Sequence, residues 1–169
     1  MTTIERRMPS TISDERTALE GWLDFHRATL AQKVAGLDEE QLREASVPPS
    51  TLSLMGLVRH MAEVERSWFR RCLAREDAGP IYYSDEDLDR DINVTAADSW
   101  EEAYATWQAE IAAARDAARG RSLDDLGFAA HRKKEVDLRW IYLHMIEEYA
   151  RHNGHADLIR ERIDGATGA

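Results

Sequence analysis

The spacing of apolar residues in four long segments constrains the fold of this chain more than any other feature of the sequence. The segments cover residues 13–36, 52–75, 98–119 and 136–164, and apolar side chains recur every three or four residues in each of them. That period is typical of a helix with one buried face, whereas a half-buried strand alternates at every second residue. The pattern predicts four amphipathic helices and no convincing strand.

Four amphipathic helices bury their apolar faces by packing against one another. The predicted fold class is therefore all-α, a four-helix bundle formed by residues 1–169 as a single domain. The connections at 76–97 and 121–136 are long, which indicates a topology that is not simply up-down-up-down. Connections of this length are often functional lids or packed crossovers.

Charge and cysteine content narrow the expected partners and location. The formal net charge of −10 disfavours phosphate backbones, so no nucleic-acid partner is expected. The N-terminal MTTIERRMPS lacks the apolar stretch of a signal peptide, and no apolar run approaches the roughly 20 residues of a membrane span. Cys72 is the single cysteine, which is typical of a reducing cytoplasm, and it lies on the apolar face of the second predicted helix. We therefore expect a cytoplasmic protein in which Cys72 is a core residue rather than a nucleophile.

One stretch of the last predicted helix, EEYARHNGHA at 147–156, holds several side chains that can bind a metal ion. Glu148 and His152 are four residues apart, so on a helix they share one face, at the edge of the apolar stripe. The pair could be an exposed ion pair, a buried hydrogen-bonded pair or half of a metal site. Periodicity alone favours the first interpretation, although polar groups at the edge of a core need partners.

A metal site would need a third ligand from another helix. Catalytic zinc sites use three protein ligands and one open position, and two histidines with one glutamate form a known set. His60 is the best candidate, because it lies three residues after Leu57 and four before Val64 and shares their side of the second helix. An inward-facing histidine is by itself more often a hydrogen-bonded core residue than a metal ligand. His60, Glu148 and His152 therefore indicate a metal site only when they are considered together.

The two histidine-bearing helices resemble a known family. LMGLVRHMAEVERSWFRRCL, followed some ninety residues later by RWIYLHMIEEYARHNGHADLIRERIDG, resembles the DinB-like four-helix-bundle superfamily, in the actinobacterial branch related to mycothiol-dependent maleylpyruvate isomerase. The resemblance implies a divalent metal held by one histidine on the second helix and by two ligands four residues apart on the last. In the isomerase-like branch the first of those two is a glutamate. Position by position, the implied ligands are His60, Glu148 and His152.

Other histidines qualify this assignment. Many family members have a glutamine three residues after the last ligand, where this chain has His155. That side chain could be a partner of a ligand, an extra ligand or a substrate-facing base. His144 is a rival ligand, one turn before Glu148, but three ligands on one straight helix rarely converge on one ion. His26 and His131 are interpreted as non-ligands.

The resemblance also implies an activity. Several relatives use a low-molecular-weight thiol such as mycothiol as cosubstrate, so the implied function is a metal-dependent transferase or isomerase acting on a small electrophile. Zinc is the first choice of metal, with nickel or iron as alternatives, and relatives often form homodimers. Three other hypotheses remain: a metal-dependent hydrolase, a non-haem iron enzyme and a non-catalytic metal-binding stress or regulatory protein. The last predicts a metal without an accessible cavity.

Overall fold

Four long helices follow the four predicted segments. The computed structural model describes residues 5–168. Residues 1–4 and Ala169 lie outside the described residues, and so does the start of the N-terminal stretch in which no signal peptide is expected. The helices of the described part are α1 (Glu15–Val34), α2 (Glu39–Arg43), α3 (Leu54–Glu65), α4 (Trp100–Ala118) and α5 (Leu138–Asp164). The chain of α3 continues without a break as a π-helix, Arg66–Leu73. The predicted all-α, DinB-like fold class is confirmed. That residues 1–169 form a single domain stays a prediction.

Side-chain caps fix where the long helices begin. Ser53 accepts a hydrogen bond from the Gly56 amide and caps α3. Asp137 caps α5 in the same way through the Trp140 amide. These caps set the start of the two helices that carry the predicted ligands.

The apolar stripes face one another in the bundle core. Helix α1 packs along α5, and α3 packs against α4. Trp107, Tyr149 and Phe69 are the largest fully buried side chains. Trp22 of α1 lies outside this core, because it is 41% exposed and packs edge-on against Phe25. None of the helices within residues 5–168 is long and apolar enough to cross a membrane.

A buried polar network joins all four long helices. The Nε and Nη2 atoms of Arg27 each donate to the Glu65 carboxylate at 2.7 Å. Tyr149 Oη donates to the same carboxylate at 2.7 Å and accepts from Trp107 Nε1 at 2.8 Å. Breaking such a network would leave a charge buried without its partner, so it holds α5 in one position against α3.

The connection after the π-helix is a packed crossover. The buried carboxylate of Glu63 accepts hydrogen bonds from the backbone amides of Ile81 and Tyr82, both at 2.6 Å. Farther along the connection, Asp98 forms an ion pair with Arg59 of α3. The contacts of Glu63 and Arg59 therefore hold the acidic connection against α3.

The second connection contains a small hairpin that the sequence did not predict. Strands β1 (Leu126–Ala129) and β2 (Lys134–Asp137) pair antiparallel around a short 3₁₀ turn, Ala130–Arg132. The hairpin packs on the π-helix at Gly127, where an added Cβ would lie 2.7 Å from the Cys72 carbonyl oxygen. The hairpin thus forms a wall beside the π-helix.

Candidate metal centre

The three predicted ligands meet between α3 and α5. One ligand atom from each of His60, Glu148 and His152 lies within 4.8 Å of the other two. Glu148 and His152 are one turn apart on α5, with 3.4 Å between Glu148 Oε2 and His152 Nε2. The ring of His60 faces that of His152 across the helix pair, with centroids 4.8 Å apart. In residues 5–168 this is the one group of three or more such side chains close enough to share an ion.

Asp91 orients the His60 ring. Its Oδ2 lies 2.7 Å from His60 Nδ1, and its Oδ1 accepts from the Ile92 amide at 2.9 Å. A carboxylate at Nδ1 favours the tautomer with the proton on that nitrogen, which leaves the Nε2 lone pair free to bind a metal. Asp91 was not predicted as a site residue, because helical periodicity does not reveal the course of the acidic connection.

His155 is the neighbour of the second histidine. Its Nδ1 lies 3.4 Å from His152 Nδ1, on the side of the ring away from Glu148. Of the three roles considered for His155, this position fits a partner that orients His152. Burial, together with the charges of His152 and Arg151, lowers the pKa of His155, so its neutral form is favoured.

Glu148 is held in its charged form by the surrounding imidazoles. A hydrogen bond with His152 lowers the pKa of Glu148, and burial opposes this less strongly. The nearby His144 and His60 lower that pKa further. A carboxylate that stays ionised at the edge of the core suits a cation.

His144, the rival ligand, has a different position. Its Nε2 lies 3.6 Å from Glu148 Oε1, but it is not part of the group of three ligand atoms. The ring stacks on Trp140 at 4.8 Å and meets Trp68 edge-on at 4.7 Å. His144 therefore forms an aromatic cluster with Trp68 and Trp140 beside Glu148.

A cavity of about 460 Å³ opens beside the three side chains. His60 and Glu148 lie in its wall, together with residues of the π-helix, the hairpin and the acidic connection. The lining also contains Arg71 and Arg132, which the sequence analysis did not assign to the site. A small molecule that entered the cavity would contact the candidate centre.

A larger cavity of about 590 Å³ lies elsewhere, between α1 and the C-terminal end of α4. Its five arginines are all engaged. Four of them pair with carboxylates: Arg16 with Glu20, Arg27 with Glu65, Arg115 with Asp24 and Arg119 with Asp116. The fifth, Arg121, donates a hydrogen bond to the Ala117 carbonyl oxygen. The arginines of this cavity already have partners, so we place the candidate site at the smaller cavity.

The remaining candidates lie outside the group of ligands. His26 packs near Trp22 on α1, and burial lowers its pKa. His131 lines the cavity from the hairpin turn but shares no site with the three side chains. Cys72 is 3% exposed, and burial raises the pKa of its thiol to about 11. Its predicted place in the core is confirmed.

The donor atoms fit a divalent transition metal. Two imidazole nitrogens and one carboxylate oxygen are the set used by one class of catalytic zinc site, which leaves a position open for a further ligand. Asp91 and His155 occupy the far nitrogens of the two rings, as carboxylates and other acceptors do around metal-bound histidines. The geometry can therefore hold an ion next to an accessible cavity.

A comparison with protein families matches residues 18–165 to the mycothiol-S-transferase family. The chain belongs to this family. The match covers the four long helices apart from the first three residues of α1, and it confirms the resemblance to the DinB-like superfamily. Membership supports a mycothiol-related transferase, with a thiol as cosubstrate. A comparison with curated proteins gave no match.

Proposed function

We propose that this mycothiol-S-transferase family member joins mycothiol, through its sulfur, to a small electrophile at a zinc ion held by His60, Glu148 and His152. The observation that carries the proposal is the meeting of three suitable ligand atoms within 4.8 Å, beside a cavity, in a chain of this family. The same site could hold nickel or iron, but the donor set is typical of catalytic zinc.

The side chains around the ligands prepare them for a cation. Asp91 holds the proton of His60 on Nδ1, so that Nε2 is available. His155 limits rotation of the His152 ring. Glu148 supplies the negative charge, and its lowered pKa keeps that charge in place at neutral pH.

The nucleophile comes from the cosubstrate. The thiol of Cys72 is buried and its pKa is raised to about 11, so this chain has no reactive cysteine of its own in the described residues. A divalent cation bound here would lower the pKa of a thiol that binds to it and so raise the thiolate fraction at neutral pH. In a substitution the new sulfur–carbon bond forms, the leaving group departs with its electron pair, and the thiol proton passes to solvent.

The accessible cavity favours turnover over simple metal storage. A non-catalytic metal-binding protein predicts an ion without room for substrates. Here the wall that contains His60 and Glu148 opens on about 460 Å³, which lies within the size range of small-molecule sites.

The test is thiol transfer with defined metal content. Protein stripped by a chelator and protein reloaded with zinc are mixed with mycothiol and a neutral aryl chloride, methyl 4-chloro-3,5-dinitrobenzoate. Release of chloride and formation of the thioether are followed against the reaction without protein. We expect acceleration by the zinc-loaded protein, loss of acceleration on chelation and recovery on reloading.

His152→Ala is the decisive variant, and His144→Ala is its matched control on the same helix. The first should lose both metal and activity, whereas the second should keep its metal. Equal rates with stripped and reloaded protein, or full metal and full activity in His152→Ala, would refute the proposal.

A further inference from the structure

Two arginines in the cavity beside the candidate metal centre have no carboxylate partner among residues 5–168. Arg71 Nη1 donates to Tyr83 Oη at 2.8 Å. Arg132 Nε donates to His131 Nε2 at 3.2 Å. Both side chains line the cavity, and no ion pair offsets their charge there. An unpaired guanidinium that faces a cavity is suited to a planar anion such as a carboxylate.

The acidic residues of the same cavity are engaged elsewhere. Glu63 accepts the two backbone amides of the crossover, and Asp91 holds His60. Glu148 faces His152 and His144. The two arginines are therefore available to a ligand, in contrast to the arginines of the larger cavity.

Arg71 and Arg132 carry their positive charges on the same cavity, with His131 beside them. Burial lowers the pKa of His131, and the neighbouring charges of Arg132 and Arg71 lower it further. These three residues come from the π-helix and the hairpin turn, on the wall formed by the two elements. A region of positive charge thus borders the candidate centre in a chain whose net charge is −10.

The rest of this wall is aromatic and apolar. The Arg132 guanidinium lies over the rings of Trp68 and Trp140, 5.4 and 5.1 Å from their centroids. Phe128 and Leu88, which also line the cavity, are 41% and 69% exposed. Exposed apolar side chains beside a site commonly mark where an apolar part of a ligand binds.

We propose that the electrophilic substrate is an organic anion with a planar apolar body. Its carboxylate binds Arg71 and Arg132, and its body lies along Trp68 and Phe128 with the reactive carbon toward the candidate centre. This inference rests on the proposed function, because it assigns the electrophile of the same site. The part of the cavity beside His60 and Glu148, away from the two arginines, is left to the thiol cosubstrate.

A matched pair of aryl chlorides tests the inference. 4-Chloro-3,5-dinitrobenzoate and its methyl ester have the same reacting carbon and differ in charge. In both, the mycothiol sulfur forms a bond to the ring carbon, chloride leaves with the bonding electrons, and the thiol proton goes to solvent. The variants are Arg71→Gln and Arg132→Gln. Lys134→Gln is the control, because this lysine is exposed on the same hairpin but does not line the cavity.

Binding is measured without turnover. Titration calorimetry of zinc-loaded protein with 3,5-dinitrobenzoate, which lacks the leaving group, should give binding that each arginine substitution weakens about tenfold, as expected for loss of one charge-assisted hydrogen bond. Lys134→Gln should bind the acid as the wild type does. Methyl 3,5-dinitrobenzoate should bind all four proteins equally and more weakly. Far-ultraviolet circular dichroism checks that each variant is folded.

Kinetics separates this inference from the proposed function. We expect Arg71→Gln and Arg132→Gln to raise KM for the acid about tenfold, with KM for mycothiol and for the ester changed less than about twofold. Equal binding and KM for acid and ester in the wild type, or equal losses in Lys134→Gln, would overturn the inference while thiol transfer stands. A rise in KM for mycothiol alone would assign the arginines to the cosubstrate and also overturn it. Arginine-dependent binding without thiol transfer would uphold the anion site and refute the proposed function.

Discussion

Both histidines among the three proposed ligands have a neighbour that positions the imidazole ring. Asp91 contacts His60 and His155 contacts His152. Side chains that are held in place lose less conformational entropy when they bind an ion. Of these two neighbours, His155 was already a candidate from the sequence, whereas Asp91 was not.

Asp91→Asn should weaken metal binding. The amide keeps the volume of the side chain but removes the negative charge at His60 Nδ1, so the ring becomes a poorer ligand. We expect zinc affinity to fall about tenfold or more, as when other outer partners of metal-bound histidines are changed. Competition with a chromophoric chelator measures the affinity.

The exposed Asp89→Asn is the matched control, two residues away on the same connection. Its zinc affinity should equal that of the wild type. If Asp91→Asn also binds zinc with unchanged affinity, the contact between Asp91 and His60 has no role in the site.

Cys72→Ser should keep thiol-transfer activity within about twofold, because a buried thiol with a raised pKa is not the nucleophile. The buried hydroxyl should lower the free energy of unfolding by about 1–3 kcal/mol, so the assay belongs well below the unfolding temperature. Activity is measured with mycothiol and the neutral aryl chloride, and stability by urea unfolding. A folded Cys72→Ser protein without activity would contradict this account.

At the scale of elements, the helices could be predicted and the segments between them could not. The stripes on α3 and α5 are long enough for the helical period to be clear, and they place His60, Glu148 and His152 inward. The four-residue strands β1 and β2 are too short for alternation to be recognised. Asp91, Arg71 and Arg132 reach the site through the crossover, the π-helix and the hairpin, whose courses depend on tertiary packing.

Two glycines in helices should respond in opposite ways to alanine. A Cβ at Gly56 would lie 2.2 Å from the Ile92 carbonyl oxygen, whereas a Cβ at Gly154 would meet no atom within 4 Å. Gly56→Ala should lower the free energy of unfolding by about 1–3 kcal/mol through overpacking. Gly154→Ala should raise it by about 0.5–1 kcal/mol, the usual gain in a helix interior. Urea unfolding compares the two.

Gly56→Ala should also reduce zinc affinity, because Ile92 must move and Asp91 precedes it in the chain. Gly154→Ala should leave the affinity unchanged. Equal stability of the two variants would show that the crossover does not pack tightly on α3.

The contribution of Asp98, which pairs with Arg59 of α3, to the stability of the fold should depend on pH. Partial burial raises the pKa of Asp98, but hydrogen bonds from Arg90, Thr95 and Arg59 together outweigh it and hold that pKa well below its usual value. A carboxyl with a depressed folded-state pKa stabilises the fold above its unfolded pKa of about 3.9, and this contribution is lost as pH falls toward the folded value. Asp98→Asn should therefore lower the free energy of unfolding by about 1–3 kcal/mol at pH 7, and by progressively less below about pH 4.

Urea unfolding of the wild type and Asp98→Asn at a series of pH values measures this difference. The exposed Asp85→Asn, on the same connection, is the control and should show little change at any pH. A difference for Asp98→Asn that stays constant from pH 7 to pH 3 would contradict the assigned role of the carboxylate.

At the scale of the whole molecule, the candidate metal centre lies between two helices, and the connections contribute to the cavity beside it. The network of Arg27, Glu65 and Tyr149 fixes the helices. The crossover and the hairpin supply the walls of the cavity. The cytoplasmic location and the homodimer suggested by the resemblance stay predictions.

The most direct test of the central claim is the absorption spectrum of the protein loaded with cobalt(II) in place of zinc. We predict visible bands of a bound cobalt ion, and a near-ultraviolet sulfur-to-cobalt charge-transfer band that grows on titration with mycothiol. His152→Ala should show neither, and Cys72→Ser should show both. Cobalt binding that is unchanged in His152→Ala, or mycothiol binding to the loaded wild type without the charge-transfer band, would contradict a thiol-activating metal at His60, Glu148 and His152.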